Sequence, residues 1–298
     1  MRVCAVIPAW NARERLPEIL LALAGQVEYV VVVDNGSSDS TLAWLAARTG
    51  DPPHDVIANP DNRGFPAAAN QGIARALAGG AEAVLLVNDD AVIQPGAVDA
   101  LAAALAGDPA AGAATAKLVY RDRPATLNGA GGIWNPGRAW AWLRGAGEPD
   151  RGQYDGEATA DYPSGAASLL RSAAIAAVGG FDEAYYLYFE DADWGLRARR
   201  VGWHTRYVPA ARAVHVGSAG TAGDHARRRY YNVRNRLRFA RVHAPARGRA
   251  WAWLATLALL AKQPPRWLSP ARRREAEAVA WAVWDHLRGR YGRSGRFG

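Results

Sequence analysis

The chain has 298 residues, half of them apolar, with a formal net charge of +8. Length and apolarity specify a folded protein with a sizeable core and exclude a disordered chain. A single cysteine excludes an internal disulfide framework and fits a reducing compartment.

The first apolar run, Val3–Pro8, reads as a buried strand with Cys4 as a small core residue. It is too short, and too soon broken by proline, for a signal-peptide core. Further strands are expected at Tyr29–Asp34, Asp55–Ala58, Ala83–Asn88 and Gly112–Val119. Helical spacing lies between them, over Glu14–Ala24, Ser38–Ala47, Pro66–Ala78 and Pro95–Ala106. Ser38 through Thr41 supplies cap candidates, and Pro95 suits a first turn. This alternation predicts an α/β fold: a mostly parallel, Rossmann-like sheet with helices on both faces.

Residues 121–163, rich in Gly, Trp and Pro, show little periodicity and read as a long irregular excursion of functional kind. Regular structure is expected again at Gly165–Leu170, Ser172–Val178, Asp191–Val201 and Thr205–Val208. Helices Arg227–Val242, Ala250–Lys262 and Pro270–Arg290 follow, separated by prolines. The expected division is a catalytic unit over 1–225 and a helical extension over 226–298. Within the catalytic unit, about 1–120 would be the nucleotide half and 121–225 the acceptor half. No apolar run reaches the roughly 18 residues of a membrane span, so the expected location is cytoplasmic, with peripheral attachment to the inner face of the plasma membrane open.

Charge is unevenly spread. Residues 1–225 carry 18 basic and 25 acidic side chains, a net −7, and residues 226–298 carry 18 and 3, a net +15. Such a tail implies an anionic partner: lipid headgroups, phosphates or nucleic acid. Its Trp251-Ala252-Trp253-Leu254 and Trp281-Ala282-Val283-Trp284 stretches suit an interfacial attachment, or packing on the catalytic unit or a second subunit of a homodimer.

Ligands of open parallel sheets bind beyond the carboxyl ends of the strands. Pro8-Ala9-Trp10-Asn11, Asp34 to Asp39, Asn59 to Phe65 and Asn88-Asp89-Asp90 all fall there. Asp34 could accept from the N–H of a base and Trp10 could cover its ring. Neither a Walker A loop nor a G-x-G-x-x-G turn follows the first strand, so a bound nucleotide needs a cation on its phosphates. Mg2+ or Mn2+ asks for only one or two carboxylates, which Asp90, with Asp89 as alternate, can meet. A second acidic pair, Glu190-Asp191, opens a helix.

Together with Ser164-Gly165-Ala166, Gly179-Gly180-Phe181-Asp182-Glu183 and Phe189-Glu190-Asp191-Ala192-Asp193-Trp194, these motifs resemble family-2 glycosyltransferases of the GT-A fold. Asn62-Arg63-Gly64-Phe65 with Asn70 belongs to the same ordered set, which spans roughly residues 3–240. The nearest subgroup is rhamnosyltransferase-like. The resemblance implies an inverting, metal-dependent enzyme. It would move a sugar from a nucleoside diphosphate sugar (dTDP-rhamnose or a UDP-sugar) to a cell-surface glycan or lipid-linked acceptor.

It also implies roles. Asp191 would be the base, supported by Glu190, and Asp90 and His215 would hold the metal. Pro8, Trp10, Asn11, Asp34, Asn62, Gly64, Asn70, Asp89 and Gly165 would form the donor side, and Arg234 or Arg236 would meet phosphate. The DXD-type motif begins here with Asn88. A sugar-nucleotide pyrophosphorylase is the alternative enzyme, but it would need a basic, glycine-rich loop after the first strand. A nucleic-acid-binding protein built on the tail leaves the acidic sheet edge unexplained. A glycan-binding relic would not keep the acidic motifs.

Overall fold

The computed structural model describes residues 1–216 and 224–298. Its first half alternates β1 (Val3–Ala9), α1 (Leu16–Leu23), β2 (Tyr29–Asp34), α2 (Thr41–Ala47), β3 (His54–Ala58), α3 (Phe65–Ala78) and β4 (Ala83–Val87). β5 (Ala91–Ile93), α4 (Ala97–Ala106) and β6 (Ala111–Tyr120) complete it. Strands β3, β2, β1 and β4 are parallel neighbours in that order. Side chains alternate across β1, so Ala5 and Ile7 pack with Leu16 and Leu20 of α1, and Cys4 and Val6 pack with Ala69 and Ile73 of α3. Burial on both faces explains the near-continuous valine runs. A Cβ on Gly72 would stand 2.3 Å from Val6 Cγ1, so α3 lies on the sheet at a distance that only glycine permits there.

The sheet continues past β4 with a change of direction. β11 (Ala167–Arg171) runs antiparallel between β4 and β6. β12 (His204–His215) lies parallel to β6 and antiparallel to β5. The sequence marks only Thr205–Val208 as strand here. A register shift between Val208 and Arg212 absorbs Pro209 and lets pairing continue to His215.

The excursion over 121–163 is less irregular than its composition suggests. β7 (Leu127–Gly129) pairs with β6, β8 (Gly132–Asn135) and β9 (Trp140–Leu143) form a hairpin, and β10 (Thr159–Ala160) edges the sheet on β12. α5 (Ser172–Val178) and α6 (Glu190–Arg200) follow β11.

Beyond the sheet come α7 (His225–His243), α8 (Ala246–Ala261), the short α9 (Pro264–Trp267) and α10 (Pro270–Leu287). α7 is not a detached extension. Its Tyr230 and Tyr231 pack with Tyr186 and with Ala278 and Ala282 of α10, and its Leu237 and Ala240 pack with Ala252 of α8. Among the described residues no helix is long and apolar enough to cross a membrane.

Candidate active site

A cavity of about 360 Å³ opens at the carboxyl ends of β1 and β4. Pro8, Trp10, Asn62, Gly64, Asn88, Asp89, Asp90, Gly165, Glu190, Asp191 and His215 all line it. Sequence separation is large, and the sheet explains why they meet. β5 starts at Ala91, directly after Asp90, and its antiparallel register sets Ala91 opposite His215 at the end of β12. The backbone N–H of Val216 donates to the Asp90 carbonyl at 3.0 Å. His215 Nε2 consequently stands 3.0 Å from Asp90 Oδ1. The rest of that motif, Gly217 and Ser218, lies outside the described residues.

His215 Nδ1 is 3.0 Å from Asn128 Oδ1 in β7, and both residues are buried. An amide oxygen can only accept, so Nδ1 carries a hydrogen, and Nε2 is the ring nitrogen that faces Asp90. Asn88 adds a buried Oδ1 that has no partner among the described residues. A carboxylate, an imidazole nitrogen and an unsatisfied amide oxygen fit a Mg2+ or Mn2+ ion. Asp89 is differently employed. Its Oδ2 accepts from Arg15 Nη2 at 2.9 Å and from the Trp10 backbone N–H at 3.1 Å, joining the loops after β1 and β4. Burial pushes its carboxyl up, and the Arg15 guanidinium opposes that.

Glu190 and Asp191 form the first turn of α6. Asp191 Oδ2 accepts from the Gly165 backbone N–H at 3.0 Å, and Oδ1 from the Ala192 backbone N–H at 2.7 Å. Glu190 Oε2 is buried without a partner among the described residues. Burial, and then the Asp191 charge, push the Glu190 carboxyl up to about 8. Burial raises Asp191 as well, against those N–H donors. The two backbone donors and the helix N-terminus favour charge on Asp191 over Glu190, so Glu190 is the member of the pair that holds a proton more readily.

The segment before this pair is strained. Tyr186, Tyr188 and Phe189 have φ of 64°, 70° and 75°, a region costly for side chains of this size. Asn235 Nδ2 holds it by donating to the carbonyls of Tyr185, Leu187 and Tyr188 at 2.8, 2.7 and 3.1 Å. Gly64 presses on it from the other side. A Cβ there would stand 2.6 Å from the Tyr186 carbonyl oxygen, and the Gly64 φ of 89° also favours glycine.

Five residues expected on the donor side do not line the cavity. Arg234 is 1 % exposed, and its guanidinium donates to the Tyr185 and Gly292 carbonyls, to Asn235 Oδ1 and to the Tyr230 hydroxyl. It cannot also meet phosphate, and Arg236 is likewise turned to the Ala139 and Arg138 carbonyls. The cation of α7 that does line the cavity is Arg227, which lies over Trp10 at 5.4 Å from the ring centroid. Asn70 brackets Phe181 through its backbone N–H and carbonyl. Asn11 accepts from the Ser38 backbone N–H at 2.8 Å and so shapes the loop after β2. Asp34 caps the end of β2, with Oδ2 on the Ser37 backbone N–H and a buried Oδ1 that has no partner among the described residues.

Residues 2–244 match the model of the family described as glycosyltransferase like family 2. The chain is a family-2 glycosyltransferase. This family-2 glycosyltransferase is 33% identical over 219 residues to an N-acetylglucosaminyl-diphospho-decaprenol L-rhamnosyltransferase of Mycobacterium tuberculosis. The match takes in 65% of the chain and 68% of that relative. Its fold is similar to that of the mannosyltransferase PcManGT from Pyrobaculum calidifontis, solved with GDP-Man and Mn2+. The TM-score is 0.55 at 20% identity, covering 96% of this chain and 87% of that one. TarS of S. aureus, solved with UDP-GlcNAc, gives 0.57 at 16% identity over 98% and 93%. The glycosyltransferase therefore has the GT-A fold, with the helices α7 to α10 added after the sheet.

Proposed function

We propose that this family-2 glycosyltransferase is an inverting enzyme. It transfers a sugar from a nucleoside diphosphate sugar, dTDP-rhamnose or a UDP-sugar, to a hydroxyl of a lipid-linked or cell-surface glycan acceptor. The observation that carries this is the geometry at the start of α6: Asp191 lines the cavity with its carboxylate on the backbone N–H groups of Gly165 and Ala192, beside a Glu190 whose buried Oε2 has no partner among the described residues. Asp191 takes the proton of the acceptor hydroxyl as that oxygen attacks the anomeric carbon. The bond from that carbon to the diphosphate oxygen breaks on the opposite face, and its electron pair leaves with the nucleoside diphosphate. Configuration at the anomeric carbon inverts.

Asp90 and His215, with the Asn88 amide oxygen, would hold Mg2+ or Mn2+, which would supply positive charge beside the leaving diphosphate. Arg227 adds a fixed cation on the same side of the cavity. Trp10, on the cavity wall, would cover the base, and Asp34, at the end of β2 outside the cavity lining, would accept from its N–H through Oδ1. The lipid-linked acceptor rests on the name of the Mycobacterium tuberculosis relative. It brings the enzyme to the inner face of the membrane, where the basic residues 226–298 hold it.

A thermal-shift screen of nucleoside diphosphates and nucleotide sugars, with and without Mn2+, tests the donor reading. One base should stabilise the protein, and more strongly with metal. No shift with any nucleotide would remove it.

A further inference from the structure

α8 breaks the usual rule that a surface helix turns polar residues to water. Trp251, Leu254 and Leu257 repeat at helical spacing and are 48%, 59% and 54% exposed. Alanines fill the rest of that face, with Ala250, Ala258 and Ala261 also exposed. The opposite side, Gly248, Ala252 and Thr256, is the buried one.

α8 is packed against the β8–β9 hairpin, whose turn reaches the apolar face at Trp251. Gly248 sits against the hairpin turn so closely that a Cβ would lie 2.0 Å from the Pro136 carbonyl oxygen. Arg138 of that turn lies over Trp251, 5.9 Å from the ring centroid. On β9, Trp140 and Trp142 are exposed, while Ala141 and Leu143 line the catalytic cavity. One strand therefore carries exposed tryptophans on one face and the wall of the cavity on the other.

The charge along α8 and the chain on either side of it is of one sign. From Ala226 to Arg274 the sequence has 14 basic residues and no acidic one. Exposed apolar side chains, tryptophans among them, with Arg138 over Trp251 and with Arg247, Arg249 and Lys262 exposed on or beside the same helix, match the boundary between acyl chains and anionic headgroups. We infer that the outer face of α8, with the β8–β9 hairpin, is a docking surface for an anionic bilayer. Trp251, Leu254 and Leu257 enter the headgroup boundary and these basic side chains lie on phosphate. The docking stands apart from the transferase reading. Its use, bringing the mouth of the cavity to a lipid-linked acceptor, rests on that reading.

The test is co-sedimentation of the full chain with vesicles of phosphatidylcholine plus phosphatidylglycerol, against vesicles of phosphatidylcholine alone. The wild type should bind the anionic vesicles only, and less at high salt. Trp251→Ser with Leu254→Ser changes no charge and should weaken binding by about tenfold or more. Its thermal unfolding and its transfer to a water-soluble acceptor analogue should match the wild type. Absence of wild-type binding, or equal binding by the double variant, would overturn the assignment. So would a dimer that the double variant turns into a monomer while vesicles leave the protein in solution, because the face would then belong to a second copy. Vesicle binding without transfer to any acceptor would leave the docking in place and remove the transferase reading.

Discussion

Asn128 Oδ1 lies 3.0 Å from His215 Nδ1, on the side of the imidazole away from Asp90. The contact makes Asn128 the residue that orients the imidazole proposed to hold the metal. Asn128→Ala frees the ring to turn and to exchange tautomers. It should lower Mn2+ affinity by about 10- to 100-fold, the usual consequence of losing such a partner. Titration calorimetry with Mn2+ alone checks this without any turnover. Unchanged affinity would mean that His215 takes no part in holding the ion.

Arg234 and Asn235 share the Tyr185 carbonyl as acceptor. Arg234→Met takes one of its donors from the Tyr185 carbonyl, removes the Arg234 donor of the Gly292 carbonyl and unties the helix from the strained Tyr186–Phe189 segment. It should cost about 2–4 kcal/mol in denaturant unfolding. Nucleoside diphosphate affinity of the folded protein should stay near the wild-type value. The opposite pattern, lost affinity with full stability, would return Arg234 to the phosphate.

Arg227 is 9 % exposed, and among the described residues no carboxylate pairs with it. A buried cation facing a cavity is matched to an anion. Arg227→Ala should weaken binding of the nucleoside diphosphate by about 10- to 100-fold, in line with one charged hydrogen bond lost. Arg227→Lys should recover part of it. Calorimetry with the nucleotide measures both.

Glu190 gives the protein a definite pH dependence. Its folded value of about 8 lies above the ordinary 4.5, so the folded state holds the proton more tightly than the unfolded chain does. The stabilisation is complete below about 4.5 and is lost as pH rises through about 8. Glu190→Gln removes that dependence. At mildly alkaline pH the variant should be more stable than the wild type by on the order of 1–3 kcal/mol, the two converging in acid. Unfolding curves at several pH values decide it, and parallel curves would show that the Glu190 carboxyl keeps its ordinary value in the folded protein.

The parallel half of the sheet was legible because burial on both faces writes unbroken valine runs into β1, β2 and β4. The far half was harder to read. β12 continues through Pro209 because β6 and β5 supply its partners, and neither contact has a local signal. The motif residues Asp90, Asp191 and Gly165 were visible as an ordered set. Asn128 was not, since it acts only through a register between distant strands. The basic run of α7 showed that a cation was available, but helix packing decides which one faces the cavity. Burial took Arg234 and left Arg227.

The division of labour between the two acidic residues of α6 is the centre of the account, and single-turnover transfer by Asp191→Asn tests it most directly. Asn keeps the shape and can still accept from the Gly165 N–H, but it cannot take a proton. Turnover should fall by about 10²–10⁴-fold, with nucleoside diphosphate affinity retained. Near-normal turnover in that variant would contradict the assignment of Asp191 as the base.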